Sequence, residues 1–376
     1  MFRNARKFGV WGVSVSALLV CLGSGSAAAQ DASDKAWNTV LEAARKEGVV
    51  VVSGPPGAFQ RDAIVTGWAK AYPDIQLQYT GGRGSTVISK IVRERTAGLY
   101  NWDIILASTN SVVSNLVPIN ALAPLRDALI KPDLTDDKTW IDGFESGFMD
   151  KEKKFLYSPM GLGAQPLGYI NRDCLSKEVF SKTEDMKKPE LKGKIVWFDP
   201  TRSGVGSRNT WVLSKYLGED WLKDMFQNHG VTLSRDYRQM TDWLVNCSKP
   251  VAFGMPDDVV EQMQKAGIGK NIEEMIGEAY YGDVNPGGPG GNESIAWYNN
   301  APHPNAAKVF VNWYLSREFQ NYFASIVRDN SRRADTKPGD PEHAMKAGVK
   351  YLIWSNQEAT DNVTALQKKI ETWGLK

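Results

Sequence analysis

The chain has 376 residues, of which 42% are apolar, 23% charged and 10% aromatic. These proportions exclude a wholly disordered or fibrous protein, and at roughly 100–200 residues per domain the length suits two or three domains. Lys and Arg number 45 against 43 Asp and Glu, a formal net charge of +2, without the strongly basic stripe of a nucleic-acid binder.

Arg3, Arg6 and Lys7 precede a mostly apolar run over residues 8–22, and Ala27-Ala28-Ala29 then supplies small residues before Gln30 and Asp31. This is the three-part layout of a cleaved secretory signal, residues 1–29. A membrane anchor is the other reading, but the run falls short of the ~20 apolar residues that span a bilayer, and no positive flank follows it. Cys21 lacks the small preceding residue of a lipidation site, since Val20 stands there. Cleavage removes three cations and no acid, so the mature chain is nearly neutral and soluble, keeping Cys174 and Cys247. In an oxidising compartment these two are candidates for a disulfide within one domain; the alternative is two unpaired buried thiols.

Trp37, Val40, Leu41 and Ala44 share one face of a helix over 35–47, which Gly48 stops. Val49 to Val52 is a β-branched run typical of a strand buried on both faces. A turn cluster at 53–57 leads to a helix over 58–71. Ile75, Leu77 and Tyr79 then alternate as a strand, and Gly81-Gly82-Arg83-Gly84-Ser85 opens another amphipathic helix. Ile104-Ile105-Leu106 is a third strand, with Ser108-Thr109-Asn110 beginning a third helix. Short elements follow over 119–165, with extended segments at 155–157 and 167–170. The earlier pattern resumes with a strand at 195–198, a loop at 199–204 and a helix over 209–217. Further on come a strand at 251–253, a helix over 256–265 with Pro256 in its first turn, a glycine-rich break at 285–291, a strand at 294–298, helices over 304–315 and 317–325, and an amphipathic helical tail at 340–376. Repeated strand, polar loop and helix indicate α/β lobes built on mostly parallel sheets flanked by helices.

In such sheets ligands sit beyond the carboxyl ends of the strands, where helix N-termini favour anions. Four loops have that form, which makes Ser53, Gly54, Gly82, Arg83, Ser85, Ser108, Thr109, Thr201, Arg202 and Ser203 the candidate ligand-binding residues. Arg83 and Arg202 could grip a carboxylate or phosphonate in two-pronged fashion; surface ion pairs are the plainer role for them. Asp257, beside Asp258, either complements a helix dipole or pairs with a ligand amine. Phe59, Tyr281 and Trp297 are candidate cleft walls. His229, His303 and His343 form no metal-binding or catalytic motif, and His303 between two prolines reads as a turn residue. No cofactor and no catalytic residue is expected.

Lys35-Ala36-Trp37, Glu47-Gly48-Val49-Val50, the stretch 79–99 and Asn101-Trp102-Asp103-Ile104 resemble the first lobe of periplasmic solute-binding proteins of ABC importers. Asn300-Ala301-Pro302-His303-Pro304-Asn305-Ala306-Ala307-Lys308, with Phe310, Leu315-Ser316 and Phe319-Gln320, is similar to that family's late helix pair. The resemblance is to extracellular solute-binding family 1, in the branch with ferric, thiamine, aminophosphonate and polyamine receptors. It implies the type II two-lobed periplasmic-binding-protein fold, hinged by crossover strands. Lobe one would take residues 30–163, lobe two 164–283, and a return to lobe one with C-terminal helices 284–376. It further implies a periplasmic monomer that hands a small solute, here an anion, to an inner-membrane ABC permease, with no nucleic-acid partner. The ferric members place two adjacent tyrosines at a lobe-two strand end, where this chain reads Gly254-Met255-Pro256-Asp257-Asp258; Tyr280 and Tyr281 fall on the expected return strand instead. Ferric binding is therefore the alternative to an organic anion. A secreted hydrolase or transferase on the same fold, which would need a nucleophile–base pair or metal site, and an interaction protein without a solute are alternatives of other classes.

Overall fold

The computed structural model describes residues 24–82, 84–202, 204–255, 257–290 and 293–375, with 24–30, 84, 85, 257, 258, 261 and 262 described through their backbone alone. The expected signal, including Cys21, thus lies largely outside the described residues.

Helix α1 (Ser24–Glu47) starts earlier than its periodicity indicates and takes in Ala27-Ala28-Ala29. Gly48, at φ +72°, ends it in a left-handed turn that an L side chain resists. There follow β1 (Val49–Gly54), α2 (Ala58–Ala71), β2 (Gln76–Gly81), α3 (Gly84–Thr96), β3 (Ile104–Leu106) and α4 (Thr109–Asn115). Strands β4 (Leu122–Ala123) and β5 (Leu156–Tyr157) complete the outgoing chain. β1 pairs in parallel with β2 and β3. Against them runs β13 (Ile295–Tyr298), antiparallel to β3, β4 and β5. It points the other way because the chain is then returning.

Side chains alternate across these strands, so each face has its own core. Val50, Val52, Ile104 and Leu106 pack with Trp68 and Phe310 on one side. Ile105 packs with Ile88, Ile91 and Val112 on the other. Two late helices, α10 (Pro304–Tyr314) and α11 (Arg317–Val327), pack against α1 and α2 respectively.

A second sheet has the order β11-β7-β10-β8-β9: β7 (Gly168–Asn171), β8 (Ile195–Phe198), β9 (Thr232–Ser234), β10 (Val251–Phe253) and β11 (Ile272–Glu274). Only β7, where the chain enters, opposes its neighbours among the described strands. Its helices are α5 (Val205–Leu217), α6 (Glu219–Asn228), α7 (Tyr237–Val245), α8 (Asp257–Lys265) and the short α9 (Glu278–Tyr281). Trp197 stacks on Phe253 in its core, ring centroids 4.2 Å apart. Cys174 and Cys247 are joined by a disulfide within this unit, Cα atoms 5.8 Å apart.

Between the two sheets lie the crossings. β6 (Gly161–Leu162) pairs antiparallel with β12 (Pro286–Pro289), and β14 (Leu352–Ile353) adds a third strand. The glycine-rich stretch read as a break is therefore largely a strand. A Cβ on Gly287 would collide with the Gly163 carbonyl, so only glycine allows this approach.

The tail is helical over α12 (Gln357–Glu371) and not over 340–356. Asn356 caps it, its Oδ1 accepting from Ala359 N–H at 2.8 Å. Leu366, Ile370 and Trp373 bury themselves with Trp211 and Phe226 of the second unit, although the tail was expected beside lobe one. Its first turn still holds the first unit: Gln357 N–H donates to Met149 O at 2.8 Å, and Lys151 N–H to Gln357 Oε1 at 2.9 Å. Among the described residues no helix is long and apolar enough to cross a membrane.

Candidate functional site

The parallel register brings the carboxyl ends of β1, β2 and β3 to one edge. Gly82 N–H donates to Gly54 O at 3.0 Å, joining the first two loops. The candidates there have structural duties. Ser53 is buried within the sheet, its hydroxyl reaching toward Ile104 O at 3.5 Å. A Cβ at Gly54 would strike the Tyr79 ring, whose hydroxyl donates to Pro55 O at 2.8 Å. Arg83 lies outside the described residues, as does the side chain of Ser85.

The loop after β8 is organised by Asp199. Its carboxylate accepts from Thr201 N–H at 2.9 Å, Thr201 Oγ1 at 2.6 Å and the Arg235 guanidinium at 2.7 Å. Burial pushes the Asp199 carboxyl up, but the Thr201 hydrogen bonds and the Arg235 charge outweigh it and hold the carboxyl below its usual range. The Thr201 hydroxyl thus serves the loop. Arg202 is exposed. Ser203 lies outside the described residues, and so does the side chain of Asp257 at the start of α8.

A cavity of about 350 Å³ opens where three segments meet. The loop after β3 contributes Ser108, Thr109 and Asn110; the first turn of α5 contributes Gly204, Val205, Ser207 and Arg208; Trp354, Ser355, Thr360, Val363, Thr364 and Gln367 come from the C-terminal segment. Of the sequence candidates, Ser108 and Thr109 line it. Ser53, Gly54, Gly82, Thr201 and Arg202 do not.

Arg208 supplies the single charge among the described lining residues, its guanidinium 4.4 Å from the centre of the Trp354 ring. An Arg stacked on an aromatic face can turn in-plane N–H donors toward a planar oxyanion. Helix α5 begins at Val205, four residues before its periodicity indicates, because Gly204 takes φ +146° as its cap. That puts Arg208 in the first turn of α5, ahead of the apolar periodicity that marks the rest of the helix. A glycine before an apolar helix face was the available signal. Nothing local pointed to Trp354 or α12, more than a hundred residues further along the chain.

Tyr280 and Tyr281 are not on a strand. They sit in α9, between Gly277 (φ +92°) and Gly282 (φ +60°), and do not line the cavity. Tyr281 is fully buried in the second core. Tyr280 Oη accepts from Arg172 at 3.0 Å and donates to Glu273 at 3.3 Å. Burial pushes both hydroxyls up. Of the other wall candidates, Phe59 is 73% exposed and, like half-buried Trp297, lies outside the cavity lining. Among the described residues no three His, Cys, Asp or Glu side chains form a metal-holding group.

A sequence profile described as bacterial extracellular solute-binding protein matches residues 53–321. A search of curated proteins finds no match. Iron-bound HitA from Pseudomonas aeruginosa is similar in structure, with TM-score 0.60 and 14% identity over 87% of this chain and 99% of that one. The ferric binding protein from Campylobacter jejuni gives 0.62 and 14%, covering 87% and 100%. An extracellular solute-binding protein from Bordetella parapertussis gives 0.66 and 11%, covering 88% and 99%. At these identities the likeness is one of fold, the two-lobed type II architecture of periplasmic binding proteins.

Proposed function

Since the chain belongs to the bacterial extracellular solute-binding proteins, which deliver solutes to ABC permeases, we propose that it captures a small anionic solute between its two lobes and presents it, as a periplasmic monomer, to an inner-membrane permease. The anion is a carboxylate, phosphonate or phosphate ester. The observation that carries this reading is Arg208, the single described charge in a cavity walled by both lobes and by α12. A guanidinium recognises an oxyanion by charge-assisted, two-pronged hydrogen bonds, and that of Arg208 is half-buried. The volume, near the lower end for ligand pockets, suits a small solute. In this proposal lobe one comprises residues 30–163 together with the chain that returns from 284, lobe two comprises 164–283, and β6 and β12 are the hinge on which they close. Arg208 takes the anchoring role that the sequence reading gave to Arg83 and Arg202.

The test is a thermal-shift screen of protein stripped of bound solute. Its arms are aliphatic and aromatic carboxylates, phosphate esters, aminoethylphosphonate, sulfate, thiamine phosphates, polyamines and ferric citrate. A ligand at 100 times its dissociation constant adds about 2.7 kcal/mol. An anion should raise the melting temperature of the wild type and not of Arg208→Gln. A response to ferric iron alone, retained in Arg208→Gln, would overturn the proposal in favour of an iron receptor.

A further inference from the structure

Four of the cavity's hydroxyl groups are oriented by the protein itself. Thr360 Oγ1 donates to Asn356 O at 3.0 Å and Thr364 Oγ1 to Thr360 O at 2.8 Å, both within α12. Ser207 Oγ donates to Gly204 O at 3.0 Å, and Ser355 Oγ to Pro289 O. A hydroxyl has one proton and two lone pairs. Once the proton is committed to a backbone carbonyl, what it turns to the cavity is acceptor capacity. These four residues, from α5, the segment before α12 and α12 itself, therefore offer acceptors. Thr109, 3% exposed, adds a hydroxyl with no partner among the described residues. Against this acceptor-rich wall stands Arg208, which only donates.

We infer that the solute is a hydroxylated acid: its acidic group lies on Arg208, and its own hydroxyls donate to the wall formed by Ser207, Ser355, Thr360 and Thr364. The inference rests on the reading of this cavity as the solute site. It makes α12 a specificity-determining element. That helix is well placed for the role, because it is tied to one lobe through Met149 and Lys151 and to the other through Leu366, Ile370 and Trp373. An analogue that lacks the hydroxyls forgoes these hydrogen bonds, and the loss counts most at Ser207, which is buried, and less at half-buried Ser355 and Thr360 and exposed Thr364.

The experiment compares matched pairs by calorimetric titration: gluconate with hexanoate, and glycerol 3-phosphate with propyl phosphate. In the wild type the hydroxylated member of at least one pair should bind tenfold or more tightly than its deoxygenated partner. In the double variant Thr360→Val, Thr364→Val that ratio should fall toward unity, because the isosteric methyl keeps the shape and removes the lone pairs. The double variant Thr360→Ser, Thr364→Ser should retain the ratio, which a loss of fold would not allow. Equal binding within both pairs by the wild type, together with loss of both in Arg208→Gln, overturns the inference and leaves the cavity as the site. A ratio unchanged by the valine variant overturns the role of α12. Binding unaffected by Arg208→Gln, or no binding to any of the four probes, overturns the reading of the cavity and this inference with it.

Discussion

The buried carboxylate of Asp103 accepts from the backbone N–H of His303 at 2.8 Å and from its Nδ1–H at 2.9 Å, across 200 positions of sequence. Its Oδ2 also accepts from Val51 N–H at 2.8 Å. One side chain thus ties the central strand of the first sheet to the start of α10, where His303 is the N-cap. Burial pushes the Asp103 carboxyl up despite these donors. In Asp103→Asn the amide group faces donors, leaving buried N–H groups unmatched. We expect a loss of about 2–4 kcal/mol, read by urea denaturation. A variant as stable as wild type would show that the donors find other partners.

His343 forms a second tie, between the crossing strand β6 and the second sheet. Its Nε2 lies 3.3 Å from Glu274 at the end of β11 and its Nδ1 2.7 Å from Asp340, while its carbonyl accepts from Gly163 N–H at 2.6 Å. The hydrogen bond to Glu274 chiefly, with Asp340, raises its pKa from 6.5 to about 9 against the opposing effect of burial. A pKa raised on folding stabilises the protein fully below the unfolded value and loses that effect as pH rises through the folded one. The stability difference between wild type and His343→Gln should therefore be largest below pH 6.5 and decline toward pH 9. Thermal melts across that range would show it. A difference that grows with pH would contradict the assignment.

The Cys174–Cys247 disulfide closes a loop of 73 residues and borders Asn171, whose Nδ2 donates to Leu244 O at 3.0 Å. Constraining a loop of this size in the unfolded chain contributes about 2–4 kcal/mol. The double variant Cys174→Ser, Cys247→Ser should be destabilised by that amount, and reductant should shift the wild type toward it and leave the variant unmoved. A wild type indifferent to reductant would contradict this.

Trp354 has two functions, packing in the second core and backing Arg208. Trp354→Leu keeps an apolar side chain there but removes the aromatic face. Losing a cation–π contact that also orients the guanidinium should weaken anion binding by about tenfold. Calorimetry against the anion found in the screen checks this, with an unchanged affinity as the contrary result.

Much of the fold was legible because its determinants are local. The β-branched run at Val49 to Val52, the helical spacing of Val87, Ile88, Ile91 and Val92, and the stop at Gly48 each act within a few residues. The errors were also local in origin. Gly204 starts α5 earlier than its apolar face does, and Gly277 and Gly282 bracket a helix where Tyr280 and Tyr281 were read as strand. In the Asp103–His303 pair, by contrast, each residue was visible in a motif, but nothing in either motif indicated the other.

The sequence by itself determined that this is an α/β chain whose polar loops lie at strand ends, because periodicity and turn chemistry are properties of neighbouring residues. It also placed Ser108 and Thr109 in one such loop. Only the tertiary structure decided which loops meet. Arg208 reaches the cavity because the second sheet orients α5, and Trp354, Thr360 and Thr364 reach it because the tail buries Leu366, Ile370 and Trp373 in the second core. That docking is driven by burial of apolar surface, which is non-directional and acts between segments far apart in the chain. No spacing of residues along the sequence records it.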